Sequence, residues 1–144
     1  MAINSRAKGQ RGEREVRDFL QKVVDEVAAE KKMLWAPEVK RNLMQSMEGG
    51  HDLVGIPGLA VEVKFCEHPQ VDKWWEQTLK QAHRAGGLPV LIYRKTRNPW
   101  QVVMMVDLPC GNEHLTCRAT ISLSAFLDWL HLYLMKHPSF DTKK

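Results

Sequence analysis

The chain has 144 residues, 44% of them hydrophobic and 26% charged, with a net charge of +4. That length suits one domain with a real apolar core, and no apolar run approaches the ~20 residues a membrane-spanning helix needs. The modest positive excess is compatible with a polyanionic partner without establishing one.

Residues 1 to about 11 read as a flexible basic arm, and the basic start MAINSRAKGQRGER is followed by no apolar stretch, so no signal peptide is expected. From Gly12 to about Lys32, Val16, Phe19, Leu20, Val23, Val24 and Val27 follow the i, i+3, i+4 rule of an amphipathic helix. Glu13 and Glu15 fall in its first turn, where a carboxylate suits the helix dipole. Met33 to Lys40 reads as a strand, placed at an edge by Pro37, and Arg41 to Gly50 is a polar connection ending in two glycines. Leu53-Val54 and Leu59-Ala60-Val61 flank Gly55-Ile56-Pro57-Gly58, which predicts a β-hairpin.

A second helix is predicted from Val71 to Ala85, ended by Gly86-Gly87. In it Gln77 and Gln81 share a face, whereas Trp74 and Trp75 are adjacent and cannot both enter one core. Leu88 to Arg94 reads as an interior strand, joined through a turn at Asn98-Pro99 to a strand from Trp100 to Val106. Residues 107 to 113 read as a loop and Thr116 to Ser122 as a short strand. Leu123, Phe126, Leu127, Leu130 and Leu134 mark a last helix, capped by Ser122 or Ser124 and ending near His137-Pro138. No repeat or linker divides the chain. The expectation is a single α/β domain over 1–144, a central mixed β-sheet flanked by helices.

Cys66, Cys110 and Cys117 make no paired framework and no CxxC, so reduced thiols and a cytoplasmic location are expected. Cys110, His114 and Cys117 have the spacing of no common zinc site.

The chemistry gathers at the hairpin. Asp52 lies five residues before Pro57 and Glu62 five after it, so the two carboxylates face each other across the turn. Alternation puts Glu62 and Lys64 on one face of the strand and Val61 and Val63 on the other. Two further Glu-x-Lys pairs occur, at Glu30-Lys31-Lys32 and Glu38-Val39-Lys40. The first sits in a helix, where the pair does not share a face, and no acid across a turn precedes the second. A solvated cross-strand charge pair would account for Asp52 and Glu62 equally, but phosphodiester hydrolysis asks for this set. Mg2+ or Mn2+ would be held by Asp52, Glu62 and the Val63 backbone carbonyl, and Lys64 would orient or deprotonate the attacking water. Basic clusters flank the hairpin: Arg6, Lys8, Arg11, Arg14 and Arg17 before it, Lys40-Arg41 next to it, and Arg94, Lys95 and Arg97 after it. Each alone reads as solvated surface; together they favour nucleic acid, with Arg11, Arg14 and Arg41 as DNA-binding candidates.

Gly9-x3-Glu13-Arg14, Gly49-Gly50-x-Asp52, Glu62-Val63-Lys64 and the run Trp74-Trp75-Glu76-Gln77 to Gln81-Ala82, followed by an apolar strand ending in Arg94, resemble the PD-(D/E)xK nuclease superfamily. Within it they are similar to Holliday junction resolvases of the archaeal type and their phage-encoded relatives. The resemblance spans about residues 8 to 95. It implies a restriction-endonuclease-like fold, a Mg-dependent endodeoxyribonuclease and a homodimer that cuts two opposed strands of a four-way junction in a bacterial or phage-infected cell. It adds Glu13 to Asp52, Glu62 and Lys64, with Glu15 as the competing choice, and lines the site with Gln77 and the DNA-contacting Gln81. His51 stands where the name-giving proline would precede Asp52. Arg41, Asn42 and Gln45 suit contacts to the DNA backbone, as they suit an ordinary polar loop. Two other readings stay open: a nuclease of this fold acting on flaps, single strands or duplex, and a nucleic-acid-binding accessory protein without catalysis.

Overall fold

Helix α1 runs Ser5–Glu30 in the computed structural model, which describes residues 5–42 and 52–141. The expected flexible arm is thus helical from Ser5 onward, because Ala7, Lys8, Gln10 and Arg11 are good helix formers that extend the amphipathic helix backward. Glu13 and Glu15 consequently lie near the third turn, and no acid occupies the first, so the helix dipole does not account for them. Residues 1–4 of the arm lie outside the described residues. So does most of the polar connection, including Gln45, Gly49, Gly50 and His51.

The strand predicted from Met33 to Lys40 is reduced to β1 (Lys40–Arg41). Pro37 has no N–H to offer, and the Gln21 side chain takes the place of a neighbouring strand. Its Nε2 donates to the Pro37 carbonyl at 2.9 Å, and the Val39 N–H donates to its Oε1 at 2.7 Å.

The remaining elements are β2 (Leu53–Val54), β3 (Leu59–Cys66), α2 (Val71–Ala85), β4 (Leu88–Lys95), β5 (Gln101–Cys110), β6 (Glu113–Ser122) and α3 (Leu123–Lys136). A 3-10 turn, Pro138–Phe140, follows. The predicted bounds of α2 hold, with Gly86 at φ 72° closing it in the left-handed conformation that glycine accepts. Ser122 caps α3 by accepting from the Ala125 N–H at 3.0 Å. Residues 107–113 are not a loop: β5 and β6 stay paired from Gln101↔Ser122 to Cys110↔Glu113. A two-residue turn joins them, with Gly111 at φ 60° in the first central position of a type II′ turn.

The described strands lie in the order β1-β2-β3-β4-β5-β6; β3 and β4 are parallel, connected through α2, and the other described pairs are antiparallel. On one face Val61, Val63, Phe65, Val90, Ile92, Val102 and Met104 form the main core with α1 and α3. On the other, Leu91 and Val103 pack against Trp75 of α2. Trp75 is therefore the buried tryptophan of its pair, and Trp74 sits half-buried against Tyr93, ring centroids 6.0 Å apart.

Gly12 sets how closely α1 approaches the sheet. A Cβ there would stand 3.0 Å from the Phe65 Cβ and 3.3 Å from the Trp100 ring, whereas one at Gly9 would meet nothing within 4 Å. Gly12→Val is expected to destabilise by about 1–3 kcal/mol and Gly9→Ala to stabilise by about 0.5–1 kcal/mol through helix propensity alone. Urea midpoints at unchanged m measure both; equal effects at the two positions would refute the contact.

Candidate functional site

The hairpin forms as its turn residues require. Gly55 (φ 111°) and Gly58 (φ 76°) occupy backbone conformations that suit glycine, and the Tyr133 hydroxyl of α3 donates to the Pro57 carbonyl at 2.7 Å. β2 and β3 pair with Leu53 opposite Val61, and one step further the same register sets Asp52 opposite Glu62. The Asp52 N–H donates to the Val61 carbonyl at 2.9 Å, and the Asn42 N–H donates to the Asp52 carbonyl at 2.8 Å. Beyond this point the Asp52 side chain replaces the backbone partner: the Val63 N–H donates to Asp52 Oδ2 at 2.6 Å. The N–H and C=O of a strand residue point to the same edge, so the Val63 carbonyl is aimed to the side of Asp52.

Both acids are enclosed, Asp52 at 5% and Glu62 at 4% exposure. Burying a carboxylate is costly without compensation, and Glu62 is only partly compensated. It shares a side-chain hydrogen bond with Asp52, while its Oε1 is a buried oxygen with no hydrogen-bond partner. Desolvation, then the charge and hydrogen bond of Asp52, push the Glu62 carboxyl up to about 9, and the Lys64 charge only partly offsets them. Lys64, two residues along β3, is half-buried on the same face.

Glu13 reaches this neighbourhood from α1. It accepts from Arg41 Nε of β1 at 2.9 Å. Burial raises its pKa, the Arg41 hydrogen bond opposes this, and the charges of Asp52 and Lys64 act on it in opposite senses. Glu15 turns elsewhere, accepting from Trp100 Nε1 at 3.0 Å and from Arg94 at 3.3 Å. Two residues apart on a helix, the pair points about 200° apart, and only Glu13 faces the hairpin acids. The rival Glu38 and Lys40 make an ion pair of 3.7 Å with both side chains well exposed, an ordinary solvated pair.

On α2, Asp72 is held toward β6 by Arg118 at 2.9 Å. Helical spacing places Gln77 and Gln81 on the flank of α2 away from Asp72; Gln81 is half-buried and Gln77 exposed. Arg11 and Arg14 are exposed on α1. Sequence reasoning missed Gly12, Phe65 and the Val63 N–H. A buried glycine inside a polar helical stretch was the available signal for the first, since it carries a propensity cost that something must offset.

Among the described residues no group of three or more His, Cys, Asp or Glu side chains is set to hold a metal. Asp52 and Glu62 are a hard-oxygen pair with one buried oxygen unsatisfied. That donor set fits a hard divalent ion that retains several waters rather than one caged entirely by protein.

A family model of the phage PDDEXK endonucleases matches residues 4–122. The chain is 26% identical over 155 aligned residues to Protein D14 of Escherichia phage T5, covering 91% of this chain and 94% of that protein. Its fold is similar to that of Archaeoglobus fulgidus Hjc, a Holliday junction resolvase from an archaeal hyperthermophile, with a TM-score of 0.50 and 15% identity over 83% of this chain and 98% of that one. The six-stranded mixed sheet with its flanking helices is thus a restriction-endonuclease-like fold, as expected.

Proposed function

The chain belongs to the phage PDDEXK endonuclease family, and from that premise we propose that it is a metal-dependent endodeoxyribonuclease whose substrate is a four-way DNA junction, cut by a homodimer in the cytoplasm of a phage-infected cell. The observation that carries the nuclease reading is the buried Asp52–Glu62 pair, with one carboxylate oxygen unpartnered and Lys64 beside it. The fold shared with a junction resolvase supports the choice of substrate.

In this reading Asp52, Glu62 and the Val63 carbonyl would hold Mg2+ or Mn2+, which when bound supplies an activated water and neutralises charge on the phosphate. The protein does the positioning. The Val63 N–H fixes Asp52 in one orientation, so the two carboxylates converge without searching for a geometry. Lys64 orients the attacking water and, as an ammonium, lowers the cost of negative charge at the phosphate. Glu13, braced by Arg41, faces the same space, and Gln77 and Gln81 line it from α2. Arg11, Arg14 and Arg41 contact the DNA backbone.

The test is cleavage of junction, duplex, flap and single-stranded DNA by the purified protein, with Mg2+ and with EDTA. Paired nicks at symmetric positions in junctions, absent in EDTA, are expected. Equal rates on the other forms would overturn the junction assignment, and no cleavage of any form with Mg2+ or Mn2+ would overturn the nuclease.

A further inference from the structure

Phe65 follows Lys64 on β3 and points to the opposite face of the sheet, where it packs on Trp100 with ring centroids 5.8 Å apart. Three cations surround this one ring. The Lys8 ammonium lies 4.8 Å from its centroid, the Arg94 guanidinium 5.1 Å and the Arg11 guanidinium 5.3 Å. They come from α1 and β4, so the fold merges two basic clusters that are about eighty residues apart in sequence.

Like charges this close repel, and two carboxylates relieve the repulsion in part. Lys8 donates to Glu67 Oε1 at 3.0 Å and to the Thr96 hydroxyl, and Arg94 pairs with Glu15 at 3.3 Å. The two acids are held differently. Glu15 is also fixed by the Trp100 indole N–H. Glu67 sits at the end of β3 with its side chain 47% exposed, covering a lysine whose side chain is only 9% exposed. Three cations against two carboxylates leave the cluster positive, and Glu67 is the more exposed of the two carboxylates.

We propose that the Lys8–Arg11–Arg94 cluster around Phe65 is a binding site for a backbone phosphate of DNA, with the Glu67 carboxylate standing in that phosphate's place in the free protein. The proposal rests on the nuclease reading and deepens it. A guanidinium presents paired donors that match phosphate oxygens, and the cation–π contacts with Phe65 help hold Arg11 and Arg94 beside the ring. A carboxylate and a phosphodiester each carry one negative charge, so exchanging one for the other preserves the charge balance around Lys8. Because Phe65 and Lys64 point to opposite faces of β3, this phosphate would be a different one from the one being cut.

The test is DNA binding in EDTA as a function of KCl, using a junction and a duplex. In the wild-type protein the phosphate displaces the Glu67 carboxylate, which takes up a solution cation and so offsets one released from the DNA. Glu67→Gln is therefore expected to tighten binding at low salt and steepen the log–log salt slope by about one unit. Arg11→Gln should weaken binding and flatten the slope by about one unit, whereas Lys136→Gln, on α3 away from the cluster, should change neither. Lys8 is too enclosed to be the only probe, and the exposed Arg11 and half-exposed Glu67 keep the test decisive. An unchanged or weakened Glu67→Gln, or an Arg11→Gln no different from Lys136→Gln, overturns the site. If the wild type still cuts DNA with Mg2+, those results overturn the site alone; a wild type that neither binds nor cuts DNA overturns both the site and the nuclease reading.

Discussion

Glu62→Gln is expected to slow cleavage roughly 10³-fold and, in the metal-free protein, to raise the unfolding temperature at pH 8. The two effects share one cause. Glu62 is enclosed with Asp52, and its unpartnered Oε1 has no hydrogen bond to offset lost hydration. The folded protein therefore holds a proton there from the ordinary carboxylate range up to about 9, whereas the unfolded chain releases it near 4.5. Between those limits the folded state binds more protons than the unfolded state, so stability falls as pH rises, by up to about 1.4 kcal/mol per unit. The contribution is complete below the unfolded value and gone once pH passes the folded one. Glutamine has nearly the same shape and no proton to lose, so the variant's stability should be flat across the window while the wild type's declines.

Activity should move the opposite way. A carboxylate that holds a divalent ion supplies several kcal/mol of transition-state stabilisation, so the loss in kcat should be roughly 10³-fold. Lys64→Ala should lose cleavage without the gain in stability, because Lys64 lowers the cost of charge on Glu62 rather than adding to it. Thermal melts from pH 5 to 9 together with junction cleavage measure all three proteins. A Glu62→Gln protein that cuts at the wild-type rate would remove Glu62 from the site.

The hairpin was legible because its determinants are local. Gly55, Pro57 and Gly58 demand a turn, and counting from it sets Asp52 across from Glu62. The bounds of α2 were legible for the same reason, through Gly86. What failed depended on partners distant in sequence. Met33 to Lys40 has strand-like composition, yet the amide of Gln21, on α1, satisfies the backbone groups that a neighbouring strand would have taken. Residues 107–113 read as a loop, but β6 supplies a continuous partner through the Gly111 turn. The choice between Glu13 and Glu15 could not be made from RGERE alone. Which of the two faces the hairpin acids depends on how α1 lies across the sheet, where Gly12 leaves no room for a Cβ against Phe65. The cluster around Phe65 was invisible for a similar reason, since only the packing of α1 across β3 and β4 unites Lys8 and Arg11 with Arg94.

Mg2+ or Mn2+ should stabilise the wild-type protein strongly at pH 8 and hardly at all at pH 5. Cation and proton compete for the same oxygens of the Asp52–Glu62 pair, and burial and the Asp52 charge favour the proton until pH approaches about 9. Raising the pH weakens the proton's hold, so the stabilisation by the ion grows in the range where the metal-free protein loses stability. At a concentration 100-fold above Kd the ion adds about 2.7 kcal/mol, a rise in Tm of roughly 5–10 °C for a chain of this size. EDTA should reverse it. In Glu62→Gln the shift should be small at both pH values, because the amide offers one neutral oxygen in place of a carboxylate. The pH dependence separates specific binding from general screening: exposed charges screened by salt would give similar shifts in both proteins. Equal shifts in wild type and Glu62→Gln would place the ion elsewhere, and a shift that shrinks from pH 5 to pH 8 would mean that the proton and the ion do not share the pair.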